Sequence, residues 1–294
     1  MIESAAQVSV KNSQLVILTD AEHHVAIEDI TALLIENRQT TVTAAALSQL
    51  GQSGCAVFFC DDKHLPCSVM TPFNQHSRAL SVLKSQISAG EPRKKRLWQE
   101  VVKAKVLNQA ECLRLAGMPE KVGYLTELAK SVRSGDVGNA EATAAQYYFP
   151  ALFGNSFTRA DDKDGRNAGL NYGYAILRGY IARTLSAYGF IPSLGLHHRS
   201  TLNAFNLADD LIEPFRTVVD LVVFRNMGKD DDLTAANKRE LFNCLNLEVL
   251  SGGQRHSVSY AVERAVMSLG RALNDKDTPM LLPRLLEMNM HRYE

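Results

Sequence analysis

Apolar and polar positions alternate over short stretches for about the first 70 residues, then recur at helical spacing through most of the rest. The runs 14-QLVILTD-20, 25-VAIEDITALLIE-36 and 55-CAVFFC-60 are β-branched, short and bounded by polar turn residues, which predicts strands. Between them, 43-TAAALSQLGQSG-54 predicts one short helix capped by Thr43 and ended at Gly51. After Pro72 the texture changes. Residues 76–88 have helical periodicity, Gly90-Glu91-Pro92 breaks it, and helical patterns then fill 93–117, 123–135, 140–154 and 171–189. The expected fold is therefore two domains: a small N-terminal β-rich domain with one helix (1–75), a linker (76–92), and a larger all-α domain (93–294).

The length of 294 residues suits that division. An apolar content of 46% with 22% charged residues excludes disorder by composition. A formal charge of zero gives no global attraction to nucleic acid or membrane, so any nucleic-acid surface has to be a local patch. No apolar run has the length of a membrane span, and MIESAAQVSV lacks the basic flank and apolar centre of a secretory signal. The five cysteines are loosely spread and suit a reducing cytoplasm, the expected location, better than a disulfide framework. Cys55, Cys60, His64 and Cys67 lack the two-residue knuckle of zinc ribbons, so buried thiols are the better reading. Arg93, Lys94, Lys95 and Arg96 open one helix, with Lys103 and Lys105 following. They read either as phosphate contacts or as a solvated face.

Candidate chemistry centres on 195-GLHHRSTLNAFNLADDLIEPFR-216. Asn206 has the character of a helix cap, and Asp209, three residues on, is close to capping-box spacing. Asp210 and Glu213 stand at i and i+3 and share a face, where two carboxylates repel unless solvent or a cation lies between them. Pro214 ends or kinks the helix there. A divalent cation and a histidine from the upstream loop would resolve the repulsion. The best further ligand is Glu141 in 138-GNAEATAAQYYFPALFG-154, a carboxylate on a closely packed helix; an ion pair with Arg159 or Arg166 is the structural alternative. Tyr147, Tyr148, Tyr172 and Tyr174 read as core more readily than as stacking platforms for DNA bases.

Taken together, 25–67, 138–154, 167–190 and 195–220 resemble the Cas1 family, the universal CRISPR-associated integrases of spacer acquisition. A helix-borne Glu, a Gly–apolar–apolar–His step and a DLxEPFR run, in that order, carry the resemblance. The TPFN loop (71–74) and the PRKKRLWQ segment (92–99) look most like the type II branch. The resemblance implies a metal site at Glu141, His198 and Glu213 holding Mg²⁺ or Mn²⁺, with Asp210 in support. His197 occupies a place that the family pattern fills with an apolar residue, which leaves its contribution open. The implied activity is metal-dependent endonuclease and integrase chemistry: transesterification by 3′-hydroxyl DNA ends into a CRISPR array. Implied partners are double-stranded and branched DNA, a second copy bound through the β-rich domain, the small ferredoxin-like protein Cas2, and type II accessory proteins with the effector nuclease. A catalytically silent DNA-binding assembly subunit is the contrasting reading.

Overall fold

The computed structural model of the chain describes residues 1–71 and 77–291. Most of the TPFN loop and the expected domain junction at 75–76 lie outside the described residues. Two compact units make up the chain, Met1–Ser77 and Arg78–Glu294.

In the first unit, the alternating stretch 7-QVSVKNSQLVIL-18 folds as a hairpin of β1 (Gln7–Lys11) and β2 (Gln14–Leu18). Asn12 and Ser13 form the turn at φ of 50° and 61°, the left-handed conformation that a two-residue hairpin loop requires. The run 25–36, expected as one strand, is divided. β3 (Glu22–Ala26) pairs with β2, a helical turn covers Ile27–Asp29, and β4 (Ala32–Ile35) enters another sheet. β5 (Thr41–Val42) runs parallel to β1 and completes the order β3-β2-β1-β5. Helix α1 (Ala44–Gln52) opens on Thr43, whose hydroxyl accepts from the Ala46 N–H at 3.3 Å, and it runs one residue past Gly51. β6 (Ala56–Cys60) then pairs parallel to β4 and antiparallel to β7 (Pro66–Val69). Val8, Leu15, Leu33, Leu50 and Val57 bury their side chains in the common core.

The second unit begins where a linker is expected: Ala79–Ser88 form helix α2. Pro92 does not break the chain but sits in the first turn of α3 (Glu91–Leu115). The missing proline N–H has no helical partner there in any case. Leu97, Val101, Val102, Val106 and Leu113 are fully buried, so α3 is the unit's central element. Around it lie α4 (Val122–Ser131), α5 (Ala140–Phe153), α6 (Gly165–Ala187), α7 (Asn206–Ile212), α8 (Arg216–Asn226) and α9 (Ala235–Phe242).

The all-α expectation needs correction near the C-terminus. β8 (Leu247–Ser251) and β9 (Gln254–Ser257) form a hairpin around Gly252 and Gly253, at φ of 59° and 82°. Helix α10 (Val258–Asn274) follows, and β10 (Arg284–Met290) returns to pair with β8. No helix among the described residues is long and apolar enough to cross a membrane.

Arg93 has an internal role that its place in the basic cluster does not suggest. Its guanidinium donates to the carbonyls of Ala272 (2.5 Å), Asp275 (2.9 Å), Thr278 (3.0 Å) and Lys276 (3.1 Å), closing the C-terminal end of α10. Helix ends leave such carbonyls without partners and carry partial negative charge. Replacing Arg93 by Ala is expected to cost about 2–3 kcal/mol, read as a lower urea midpoint at unchanged slope.

Candidate active site

The site grows from α3. At mid-helix Lys105 points inward rather than extending the basic face, and its ammonium contacts Oε1 of Glu141 and Oε2 of Glu213. One turn on, Asn108 donates to the carbonyls of Pro214 (2.7 Å) and Pro283 (3.0 Å) and accepts from the Leu285 N–H at 3.1 Å. Asn108 thereby fixes the short helical turn Glu213–Phe215 that Pro214 inserts between α7 and α8. Glu141 stands in the first turn of α5. Asp136 secures that turn by accepting from the N–H groups of Ala140 (2.9 Å) and Glu141 (3.0 Å). The alternative partners Arg159 and Arg166 do not pair with Glu141: Arg159 reaches Asn167 and Asn171, and Arg166 grips Asp164.

Glu213 also receives the Arg216 Nε at 2.9 Å. Burial opposes ionisation of both Glu213 and Lys105, but the facing charges prevail. They hold the Glu213 carboxyl down at about 2 and raise the Lys105 ammonium. Beside these groups a cavity of about 220 Å³ is lined by Lys105, Glu141, Arg159, Tyr174, Arg216 and Asp220, among others. Asp220 forms its floor, accepting from Tyr148 at 2.9 Å and from the Tyr174 hydroxyl. Arg216 lies over the Tyr174 ring at 4.6 Å, and Tyr174 lines the cavity while Tyr148 is fully buried, so neither is an exposed platform. Tyr172 is buried as well, and Tyr147 packs on Tyr124 at 4.6 Å.

The 195–198 loop is organised by Asp210, which is fully buried. Its carboxylate accepts from the N–H groups of Leu196 (2.5 Å), His197 (3.1 Å) and His198 (3.1 Å), and meets His198 Nδ1 at 2.7 Å. That hydrogen bond raises the imidazole above its ordinary range against partial burial, and the Glu213 charge adds to the effect. A Cβ at Gly195 would fall 2.4 Å from the His198 carbonyl oxygen and 2.8 Å from Asp210 Oδ2, so only glycine permits the loop to close this tightly. His197 stacks on Trp98, with centroids 4.4 Å apart and planes 3° from parallel.

The cap expected at Asn206 takes another form. Its amide bridges the carbonyls of Ser193 (3.0 Å) and Ser200 (2.9 Å), while Asp209 is clasped by Arg178 and Asn203. Asp210 and Glu213 therefore have separate partners instead of one shared cation.

Glu141 and Glu213 converge on a single positive charge, the Lys105 ammonium. His198 is held on the adjoining loop. Among the described residues, no three His, Cys, Asp or Glu side chains form a ready metal cluster. The carboxylate pair fits a divalent cation by its donor chemistry and by its capture of a positive charge.

A family model for the CRISPR associated protein Cas1 matches residues 1–238. This chain belongs to the Cas1 family. It is 43% identical over 299 residues to the CRISPR-associated endonuclease Cas1 of Neisseria meningitidis serogroup C (strain 8013), covering 100% of this chain and 98% of that one. The fold matches a casposase bound to integration product, with a TM-score of 0.74 at 21% identity over 94% of this chain and 90% of that one. It also matches a chain of a partial Cas6-RT-Cas1–Cas2 complex, with a TM-score of 0.67 at 19% identity over 98% of each.

Within this Cas1-family chain, sequence reasoning missed Lys105, Asp220 and Arg216. Lys105 is hidden by its basic neighbours. The spacing of Glu213, Arg216 and Asp220 does carry a helical signal, since i+3 and i+7 place all three on one face.

Asp220 gives the site a pH signature. Burial raises its carboxyl from 3.8 to about 6, with the tyrosine hydrogen bonds working against that rise. Between those values the folded chain binds more protons than the unfolded one, so this group's contribution to stability falls as pH rises through the window. Asp220→Asn stays neutral throughout. Its stability relative to the parent is expected to improve by up to about 3 kcal/mol between pH 3.5 and 7, measured by chemical denaturation at each pH.

Proposed function

We propose that this chain is a metal-dependent DNA integrase and endonuclease of CRISPR adaptation. It joins 3′-hydroxyl ends of a short DNA duplex, by transesterification, to the phosphodiesters that flank the first repeat of an array. One observation carries the reading: in a Cas1-family chain, Glu141 and Glu213 arrive from separate elements to hold one cation between them. Glu141, Glu213 and His198 would hold Mg²⁺ or Mn²⁺. The chemistry such an ion would supply is polarisation of the scissile phosphate and easier ionisation of the attacking hydroxyl.

The chain's own residues do the remaining work. Asp210 engages His198 Nδ1 and the backbone beside it, which orients the ring and leaves Nε2 as the ligand nitrogen. Arg216 restrains Glu213 through Oε1, so the carboxylate keeps its direction as charge shifts at phosphorus. Arg159 and Arg216 on the cavity wall supply fixed positive charge where negative charge develops on the non-bridging oxygens.

The likeness to a casposase bound to integration product and to a Cas1–DNA complex supports DNA as the substrate, which we assign as double-stranded and branched, and the Cas1–Cas2 complex supports Cas2 as a partner. Homodimerisation is assigned to the N-terminal β-rich unit. The wording at 71–74 and 92–99 supports the type II branch, with its accessory proteins and effector nuclease. Within the basic segment, exposed Lys95 and Arg96 and half-buried Lys94 are the DNA contacts that remain after Arg93 is assigned to α10.

A catalytically silent assembly subunit is the contrasting reading, favoured by the lysine seated between the two carboxylates. An integration assay with Cas2, a supercoiled array plasmid and Mn²⁺ or Mg²⁺ separates the two. Glu141→Ala, His198→Ala and Glu213→Ala are each expected to lower strand transfer on the order of a hundredfold to a thousandfold while Cas2 binding persists. Full activity in any two of the variants, or none in the parent chain, would overturn the reading.

A further inference from the structure

Lys105 contacts the same two carboxylates that the proposed metal needs. Its ammonium meets Oε1 of Glu141 and Oε2 of Glu213, and its side chain is 8% exposed. A divalent ion bridging those oxygens cannot share them with an ammonium group at contact distance. The cavity beside Lys105 offers room for the side chain to swing, since it lines that space together with Arg159. Lysine suits such a movement because its charge rides on a flexible four-carbon stem. Its backbone stays in place, because Asn108 one turn away locks α3 to the carbonyls of Pro214 and Pro283.

We propose that Lys105 is an exchangeable internal cation. It holds Glu141 and Glu213 together in the metal-free chain, and it moves to a DNA phosphodiester when a divalent ion takes its place. This rests on the proposed metal-dependent function and names a positioning residue within that site. Two carboxylates facing each other in a partly dry pocket repel strongly, so a preset counter-charge keeps them converged before the metal arrives. The arrangement has a thermodynamic consequence. Freeing the ammonium from its carboxylates opposes metal binding when no phosphate is present, and a phosphodiester in the cavity offers the ammonium a new partner. Metal and DNA therefore bind with positive coupling, and each tightens the other by the same factor.

The test is a calorimetric Mn²⁺ titration of the full chain, with and without a branched DNA whose 3′ ends lack hydroxyls. Wild type, Lys105→Met, Lys105→Gln and Glu141→Ala are compared. Without DNA, Lys105→Met and Lys105→Gln are expected to bind Mn²⁺ roughly tenfold tighter than wild type. DNA should tighten Mn²⁺ binding by wild type and have little effect in the two Lys105 variants.

Thermal melting adds an independent readout. Both variants should melt below wild type in chelator and recover with Mn²⁺, whereas loss of a purely structural ion pair would not be repaired by metal. Mn²⁺ binding no tighter than wild type, or melting that Mn²⁺ leaves low, would overturn the exchange and leave Lys105 a static partner. Wild-type Mn²⁺ binding that survives Glu141→Ala would instead overturn the metal-centre reading beneath it.

Discussion

The second unit is organised around one ion cluster, in which the buried Lys105 ammonium meets half-buried Glu141 and buried Glu213 while Arg216 secures Glu213 from its other side. Each charge would be costly alone in this environment, and removing one partner would leave the others uncompensated. The cluster also ties together elements distant in sequence: the middle of α3, the first turn of α5 and the turn between α7 and α8. Hydrogen bonds to the backbone hold the elements around it. Asn108 pins the 213–215 turn and Asp136 secures the start of α5, so both carboxylates stand on fixed backbone and the Lys105 ammonium offsets their repulsion.

Asp210 plays a comparable part on the neighbouring loop. By accepting three successive backbone N–H groups and engaging His198 Nδ1, it sets both the path of residues 196–198 and the orientation of the imidazole. Gly195 permits this closure because any side chain would collide with the His198 carbonyl and Asp210 itself. His197 has a different task, lying flat on Trp98 and so anchoring the loop to α3. Trp98 meets the two rings differently, stacked on His197 and edge-on to His198 at 5.8 Å, a distinction that the pair HH does not carry.

Much of this was legible in the order of residues, and the failures have physical causes. The division into a β-rich region and a helical region followed from the change of apolar period, and Thr43 announced its helix through capping chemistry. Only the second strand of the β1–β2 hairpin was read, although alternation extends back through Gln7–Lys11, and the β8–β9 hairpin around Gly252-Gly253 was masked by helices on either side. Pro92 was misleading because the same residue that ends a helix suits its first turn. Lys105 and Arg93 could not be separated from the surface lysines, since their burial depends on contacts 36 to 185 residues away in the chain. Glu141 and Glu213 stood out as candidate ligands, whereas the lysine between them had no local signature.

The proposed metal centre places one divalent ion between Glu141 and Glu213, with His198 as the third protein ligand. Anomalous diffraction from crystals of the full chain grown with Mn²⁺ tests it most directly. The expected result is one manganese peak in contact with both carboxylates and His198 Nε2, with the Lys105 ammonium withdrawn into the cavity. Manganese bound elsewhere, or Lys105 still bridging both carboxylates at saturating Mn²⁺, would contradict it.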